Sequence, residues 1–349
     1  VNQLNRSVTD IFGCRLAFSP HRSLDSRLFM QGPQGKVRVP AFSEKFWCTI
    51  LLCFFSFIAS HGVLADEPVT LRIMSFNLWV GGVQAGQELS QSAAVMKLAD
   101  VIGMQETHDA AGDNSIKIAK EVGWHHFAQG GRTAVISRYP ITGFTPAKWG
   151  VFIEVSPTLT VCLFNVHFPA APYQPYQLLN IPYGQAPFIS TEAEAIDWAQ
   201  RSRGGPLQRM LTELVEVRDT GLPVFVTGDF NEPSHLDWTQ RAAEQGTHPL
   251  KVAYPTTSRV TEEGLIDTYR TRFPDEIAQP GFTWTPLTQA NDTQDHHDRI
   301  DFVFADKRFC SVDNCQVVGE DQQSADVVIA PWPSDHRAVL ATIKLEKPK

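Results

Sequence analysis

The sequence predicts one α/β domain over residues 66–349, preceded by an N-terminal segment that takes no part in it. Three observations carry this expectation. Apolar runs of strand length recur along the chain, segments with helical spacing separate them, and run after run ends in Asn, Asp, Glu or His rather than in an ordinary turn residue. With 349 residues, 43% hydrophobic and 10% aromatic, there is enough apolar material for a large core. No internal repeat, low-complexity tract or linker divides residues 66–349.

The elements follow in order. Val69–Asn77 alternates as a strand and ends in a polar residue, followed by Trp79 and a Gly81-Gly82 pair. Helical spacing over Leu89–Leu98 leads to an apolar strand, Val101–Met104, that runs out in Gln105-Glu106-Thr107. A short helix around Ile116–Val122 precedes Thr133–Ile141, a strand stopped by Pro140. In Leu159–Phe168 the two-residue period sets Val161, Leu163, Asn165 and His167 on one face and Cys162, Phe164, Val166 and Phe168 on the other. Residues 169–191 break the pattern, with five prolines, three tyrosines and no charged residue. Such an insertion is either a lid or an apolar loop packed on the surface. Helices are expected over Glu192–Gln200 and Leu207–Arg218, then a buried-type strand, Pro223–Asn231, in which Gly228 would let the backbone approach a ligand and Asp229 and Asn231 share a side. Leu265–Tyr269 reads as a short helix, Gly281–Pro286 opens a polar loop, and strands at Arg299–Phe304 and Arg337–Leu345 close the domain.

The segment before the domain has its own character. Lys45 is followed by the uncharged run Phe46–Ser60 and by Val63-Leu64-Ala65, the pattern of a secretory signal with cleavage after Ala65; an uncleaved anchor and a buried core helix are the alternatives. Met30 is a sensible start for such a precursor, and residues 1–29 resemble neither signal nor domain. A secreted or periplasmic product is therefore expected. Cys14, Cys48 and Cys53 would leave with the leader; of the rest, Cys162 reads as a buried thiol, and Cys310 and Cys315 are expected to close a short disulfide loop. The first 65 residues hold 7 Lys+Arg against 3 Asp+Glu, which leaves 23 against 35 in the domain. That acidic balance removes the usual electrostatic footprint of a nucleic-acid binder.

The strand endings collect Asn77, Glu106, Asn165, His167, Asp229, Asn231, Asp301, Asp335 and His336. Taken singly, a strand-end Glu is usually a solvated loop residue and a strand His a satisfied structural group. Repeated, they describe one polar edge of a sheet, rich in hard oxygen donors and free of thiols, which suits Mg²⁺ or Mn²⁺, one ion or two, better than zinc. Phosphate-ester cleavage needs these parts: a cation at the phosphoryl oxygen, an acid–base pair for water, and neutral donors for the developing charge.

Seven short motifs in order, Ser75-Phe76-Asn77, Gln105-Glu106-Thr107, Ser137-Arg138-Tyr139-Pro140, Asn165-Val166-His167, Gly228-Asp229-Phe230-Asn231, Arg299-Ile300-Asp301 and Ser334-Asp335-His336, resemble the endonuclease/exonuclease/phosphatase superfamily. The resemblance spans residues 70–345 and implies a four-layer α/β sandwich, two mostly antiparallel sheets face to face with helices outside. It implies Glu106, Asn77 and Asp335 as metal ligands and His336 as general base oriented by Asp301. Asp229 and Asn231 would place water and phosphate or hold a second ion, and His167 would bind phosphate or assist the leaving group. Asn165, Arg138 and Trp79 are the expected substrate contacts. The AP-endonuclease branch has an acidic residue where Trp79 stands, and its glycine-rich tyrosine motif is missing, so DNA repair fits poorly.

The expected activity is hydrolysis of a phosphodiester or phosphomonoester of a small-molecule or lipid-linked substrate by a monomer, with residues 169–191 available for membrane contact. A secreted nuclease of the same chemistry is the alternative, and a non-catalytic binding module of the same fold is a third. Substrate choice is expected to lie in residues 169–191 and 285–297.

Overall fold

The computed structural model describes residues 69–346, which belong to one compact unit, Asp66–Lys349. The expected export leader, its expected cleavage point and Cys14, Cys48 and Cys53 lie outside the described residues. The strands are β1 (Val69–Asn77), β2 (Val101–Gln105), the two-residue β3 (His108–Asp109) and β4 (Gly112–Asp113), β5 (His125–Gly130), β6 (Thr133–Ser137), β7 (Ile141–Phe144), β8 (Gly150–Ser156), β9 (Leu159–His167), β10 (Val224–Asp229), β11 (Leu265–Asp267), β12 (Asp301–Asp306), β13 (Cys310–Gly319), β14 (Val327–Val328) and β15 (Ala338–Leu345).

Seven strands pair in the order β14-β13-β15-β1-β2-β6-β5 and six in the order β11-β12-β10-β9-β8-β7. Pairing is mostly antiparallel, but each sheet holds a parallel pair at its middle, β1 with β2 and β9 with β10. Central strands are buried on both faces, which is why they read as nearly continuous apolar runs. In β1, Leu71 and Ile73 enter the core between the sheets, while Met74 and Phe76 face the helices Leu89–Met96 and Ser115–Val122. In β9, Val161 and Leu163 face the other sheet, and Cys162, Phe164 and Val166 meet Leu207, Met210 and Leu214 of the helix Gly205–Asp219. The outcome is a four-layer sandwich, helix, sheet, sheet, helix. Truncating an inner residue such as Ile73 to Ala is expected to cost about 2–5 kcal/mol.

The sheets approach closely near the functional edge. A Cβ on Gly103 would stand 2.1 Å from Thr227 Oγ1 and 2.4 Å from Asn165 Oδ1. On Gly228 a Cβ would meet Val166 Cγ2 at 2.4 Å, so strand packing by itself requires a glycine here.

Three further expectations are corrected. Thr133–Ile141 is two strands in different sheets: β6 ends at Ser137, and the chain crosses over before Pro140, which cannot donate to a ladder. Leu265–Asp267 is a strand, β11, and the helix begins only at Thr268, capped by the Asp267 carboxylate. Cys310 and Cys315 are free thiols. Both lie on β13, where five residues of extended chain separate them by about 16 Å, well beyond the reach of a disulfide.

Candidate active site

Parallel pairing sends the C-terminal ends of β1, β2, β9 and β10 to one edge of the sandwich. The antiparallel β12 and β15 bring their first residues to the same place. Asn77, Glu106, His167 and Asp229 therefore leave strands where Asp301 enters one and His336 precedes another. Asp229 sits opposite both His167 and Asp301 in the ladder.

Asp229 is the hub. Its Oδ2 accepts from Asn77 Nδ2 at 2.9 Å and Asn231 Nδ2 at 3.1 Å, and its Oδ1 accepts the Asn231 N–H at 2.9 Å. Oδ2 also lies 3.5 Å from His167 Nε2 and 3.8 Å from His336 Nε2. The His336 ring is held by Asp301, whose Oδ2 is 2.9 Å from Nδ1, and by a backbone N–H to Ser334 Oγ at 3.1 Å. Ser334 in turn donates to the Asn77 carbonyl at 2.7 Å, locking the C-terminal motif to the first strand. Burial alone would discharge the imidazole. The carboxylates of Asp301, Asp229 and Asp335 outweigh it and push His336 up to about 10.

Glu106 leaves β2 in a left-handed conformation, φ 53°, unusual for a residue with a side chain. The strained turn Trp79–Gly82 answers it: the Val80 N–H reaches Glu106 Oε2 at 3.0 Å and the Gly81 N–H reaches its carbonyl at 2.6 Å. Glu106 Oε1 faces His167 Nε2 at 3.8 Å. Asp335 Oδ1 is buried without a hydrogen-bond partner, and burial raises its carboxyl to about 6. Asp301 Oδ1 is likewise buried and partnerless.

These groups open onto a cavity of about 120 Å³ with Glu106, Asp229, Asn231, Asp335 and His336 on its polar side and Ala170, Tyr173, Tyr183, Trp284 and Ile300 opposite. Among the described residues, no lysine or arginine lines it. A larger cavity, about 510 Å³, lies beside Tyr269 and Arg337 and holds none of the strand-end acids that the chemistry needs. The oxygen donors fit a hard divalent cation. Among the described residues, Glu106 and Asp335 have no cationic partner beyond the histidines, and Asn77 Oδ1, which takes the Trp79 N–H at 3.0 Å, keeps a second lone pair. Atoms of Asp229, Asp301 and His336 also lie within 4.8 Å of one another, but Asp301 Oδ2 and His336 Nδ1 are engaged with each other.

The endonuclease/exonuclease/phosphatase family model matches residues 74–336, which include every strand end described above. The chain belongs to this family. Its members are hydrolases acting on phosphoester bonds. A Caenorhabditis elegans relative, the uncharacterized protein F14F9.5, is 26% identical over 322 residues, covering 84% of this chain and 97% of its own. Similar solved structures include an AP endonuclease from Archaeoglobus fulgidus, with 16% identity, a TM-score of 0.49, and 78% of this chain and 98% of that one covered. Another is the 3' phosphatase NExo from Neisseria bound to product DNA hairpin, with 17% identity, a TM-score of 0.47, and coverage of 78% and 98%.

Within this family member, two expected substrate contacts, Arg138 and Asn165, stand elsewhere. Arg138 is at the opposite edge, 3.2 Å from Asp100 and stacked on Trp124, because β6 runs antiparallel to β2 and carries its C-terminal end away from Glu106. Asn165 is buried between the sheets, accepting from Gln105 Nε2 at 2.6 Å and donating to the Met104 carbonyl at 3.0 Å. It joins the sheets and does not face the cavity. Trp79 contributes its backbone to the Glu106 turn, and its side chain is not among the cavity residues.

The insertion 169–191 folds over the site. It contains the helix Gln174–Leu179, and the buried Arg203 pins its entry through Gln174 Oε1 at 2.7 Å and the Pro172 carbonyl at 3.0 Å. Its tyrosines had marked it as special. Trp284, across the cavity, gave no signal, since a lone Trp in a polar loop has no period to read.

Proposed function

We propose that this protein is an exported, divalent-metal-dependent phosphoesterase acting on a phosphate ester of a small-molecule or lipid-linked substrate. The observation that carries the reading is the Asp301–His336 pair, 2.9 Å apart, at the wall of a cavity that no lysine or arginine among the described residues lines. Export rests on the signal-like run Phe46–Ala65.

Glu106 and Asp335, with Asn77 beside them, would hold Mg²⁺ or Mn²⁺, which when bound polarises the phosphoryl oxygen and screens the acids that otherwise keep His336 protonated. With Nδ1 fixed by Asp301, Nε2 of His336 faces the cavity and takes the proton of the attacking water. Asp301 orients the imidazole and stabilises its charged form. His167 supplies a donor to the non-bridging oxygens, while Asn77 and Asn231, whose amides donate to Asp229, hold that carboxylate in place. The aromatic wall of Tyr173, Tyr183 and Trp284 receives the apolar part of the ester.

A cavity this acidic favours the single charge of a diester over the double charge of a monoester. DNA fits less well, because the domain's acidic balance removes the usual electrostatic footprint of a nucleic-acid binder. The test is turnover of an aryl phosphodiester, the matching monoester, sphingomyelin, inositol phosphates and DNA by the purified chain with Mg²⁺ or Mn²⁺. Preferential cleavage of a small or lipid-linked ester supports the proposal. Salt-sensitive cleavage of DNA alone would replace it with the nuclease reading, and binding without turnover of any ester with the binding-module reading.

A further inference from the structure

Outside the catalytic cavity, His248, His296 and Asp298 bring one ligand atom each within 4.8 Å of one another. His248 Nδ1 and His296 Nε2 stand 3.1 Å apart, and the same His296 nitrogen is 3.8 Å from Asp298 Oδ1. We propose that these three side chains form a zinc-binding site, separate from the oxygen-rich catalytic centre, with water in the fourth position.

Two of the three ligand separations, 3.1 and 3.8 Å, bracket those of a coordination sphere. Zinc–nitrogen bonds of about 2.0–2.1 Å at tetrahedral angles put neighbouring ligand atoms about 3.3 Å apart. An imidazole–imidazole hydrogen bond accounts for the 3.1 Å separation by itself, and Asp298 Oδ1 stands 3.8 Å from the same nitrogen, close enough for one ion to bridge all three. Two neutral imidazoles and one carboxylate select a borderline ion over Mg²⁺ or Mn²⁺. Each ring would keep its proton on the nitrogen facing away from the ion.

The supporting shell is built. Trp238, wholly buried, touches all three ligands. Its ring stacks on His248 at 4.3 Å with 11° between planes, meets His296 edge-on at 5.7 Å, and its Nε1 donates to Asp298 Oδ1 at 2.9 Å. Tyr173 Oη donates to Asp298 Oδ2 at 2.6 Å. Partners of this kind fix ligand orientation in metal sites. His248 and Asp298 are buried while His296 is partly exposed, which leaves a path for the ion.

Position gives the ion a task. Asp298 pairs through its backbone with Trp284 and through its side chain with Tyr173, two residues of the catalytic cavity's aromatic wall. Zinc here would brace that wall without touching the reacting phosphate.

The test is metal content after equilibration with Zn²⁺ and desalting, beside thermal melting with and without stoichiometric Zn²⁺. One retained equivalent and a raised Tm in the wild type and in Asp335→Asn, both lost in His248→Gln and in His296→Gln, are expected. No retained zinc, equal retention in the histidine variants, or loss in Asp335→Asn instead would each overturn the proposal. Should a histidine variant fail to fold, Co²⁺ in the wild-type chain decides: intense visible bands of a four-coordinate ion support the site, and the pale spectrum of an octahedral ion contradicts it.

Discussion

The strand β12 carries a wholly buried aspartate at each end, and the two live in opposite electrostatic worlds. Asp306 lies between Arg218, at 3.2 Å, and Arg308, at 2.6 Å. Although burial opposes it, hydrogen bonds from Arg308 and Arg218 hold the carboxyl below its ordinary range. Asp301 has His336 and, nearby, a second acid in Asp229; burial raises its carboxyl, and one of its oxygens has no partner. The pattern extends across the sandwich: at the Asp306 edge Asp100 is met by Arg72 and Arg138, while at the Asp301 edge no arginine or lysine among the described residues lines the cavity. One edge is compensated by the protein. The other is short of positive charge, as expected of a place that takes a cation from solution.

The largest expected contrast is between the two ends of β12. His336→Ala is predicted to lower kcat by about 10²–10⁴-fold, and Asp301→Asn to lower it in the same direction, with melting temperatures near wild type. Asp306→Asn is predicted to leave kcat per folded molecule unchanged and to cost about 2 kcal/mol in urea denaturation, less than a wholly buried pair would because Arg308 reaches solvent. Normal turnover in His336→Ala would remove the general base. The Asp306 contribution has a sign that can be read: with a lowered pKa, it is complete above the ordinary value of 3.8 and lost as pH falls below it.

Next in size is the metal itself. Glu106→Gln and Asp335→Asn are predicted to weaken Mn²⁺ binding by about tenfold or more, whereas Asp100→Asn at the compensated edge leaves it unchanged; calorimetry separates these outcomes. pH gives an independent reading. Burial raises Asp335 to about 6, so in the metal-free protein its contribution to stability is present at low pH and lost as pH rises through about 6. A cation must displace that proton. Mn²⁺ affinity is therefore predicted to climb by up to about tenfold per unit below pH 6 and to level off above it, and a flat profile from pH 4.5 to 7.5 would remove Asp335 from the ligand set.

How much of this was legible depends on what each residue's signal was made of. Asn77, Glu106, His167, Asp229, Asp301, Asp335 and His336 were visible because each follows or opens an apolar run, and strand direction then sends them all to one edge. Pairing partners are not written in such runs. Arg138 looked equivalent to the others, yet antiparallel pairing placed it at the far edge, and Asn165 shared a face with His167 but met the opposing sheet two residues too early to reach the cavity. Short or exposed strands such as β7 and β14, and aromatics in loops such as Trp238 and Trp284, are set by tertiary contact and carry no period.

The smallest expected effects test the cavity's far wall. Tyr173→Phe removes one hydrogen bond to the Asp298 carboxylate, worth about 1.5–3 kcal/mol of stability, and is predicted to raise KM a few-fold with kcat nearly unchanged. Arg138→Ala, at the compensated edge, is predicted to alter neither.

The central claim, that the uncompensated edge holds a catalytic cation beside Asp301 and His336, is tested most directly by turnover of an aryl phosphodiester before chelation, after chelation, and after Mg²⁺ or Mn²⁺ is returned. Activity that disappears with the chelator and comes back with either ion is the predicted result. Activity that survives chelation would contradict it.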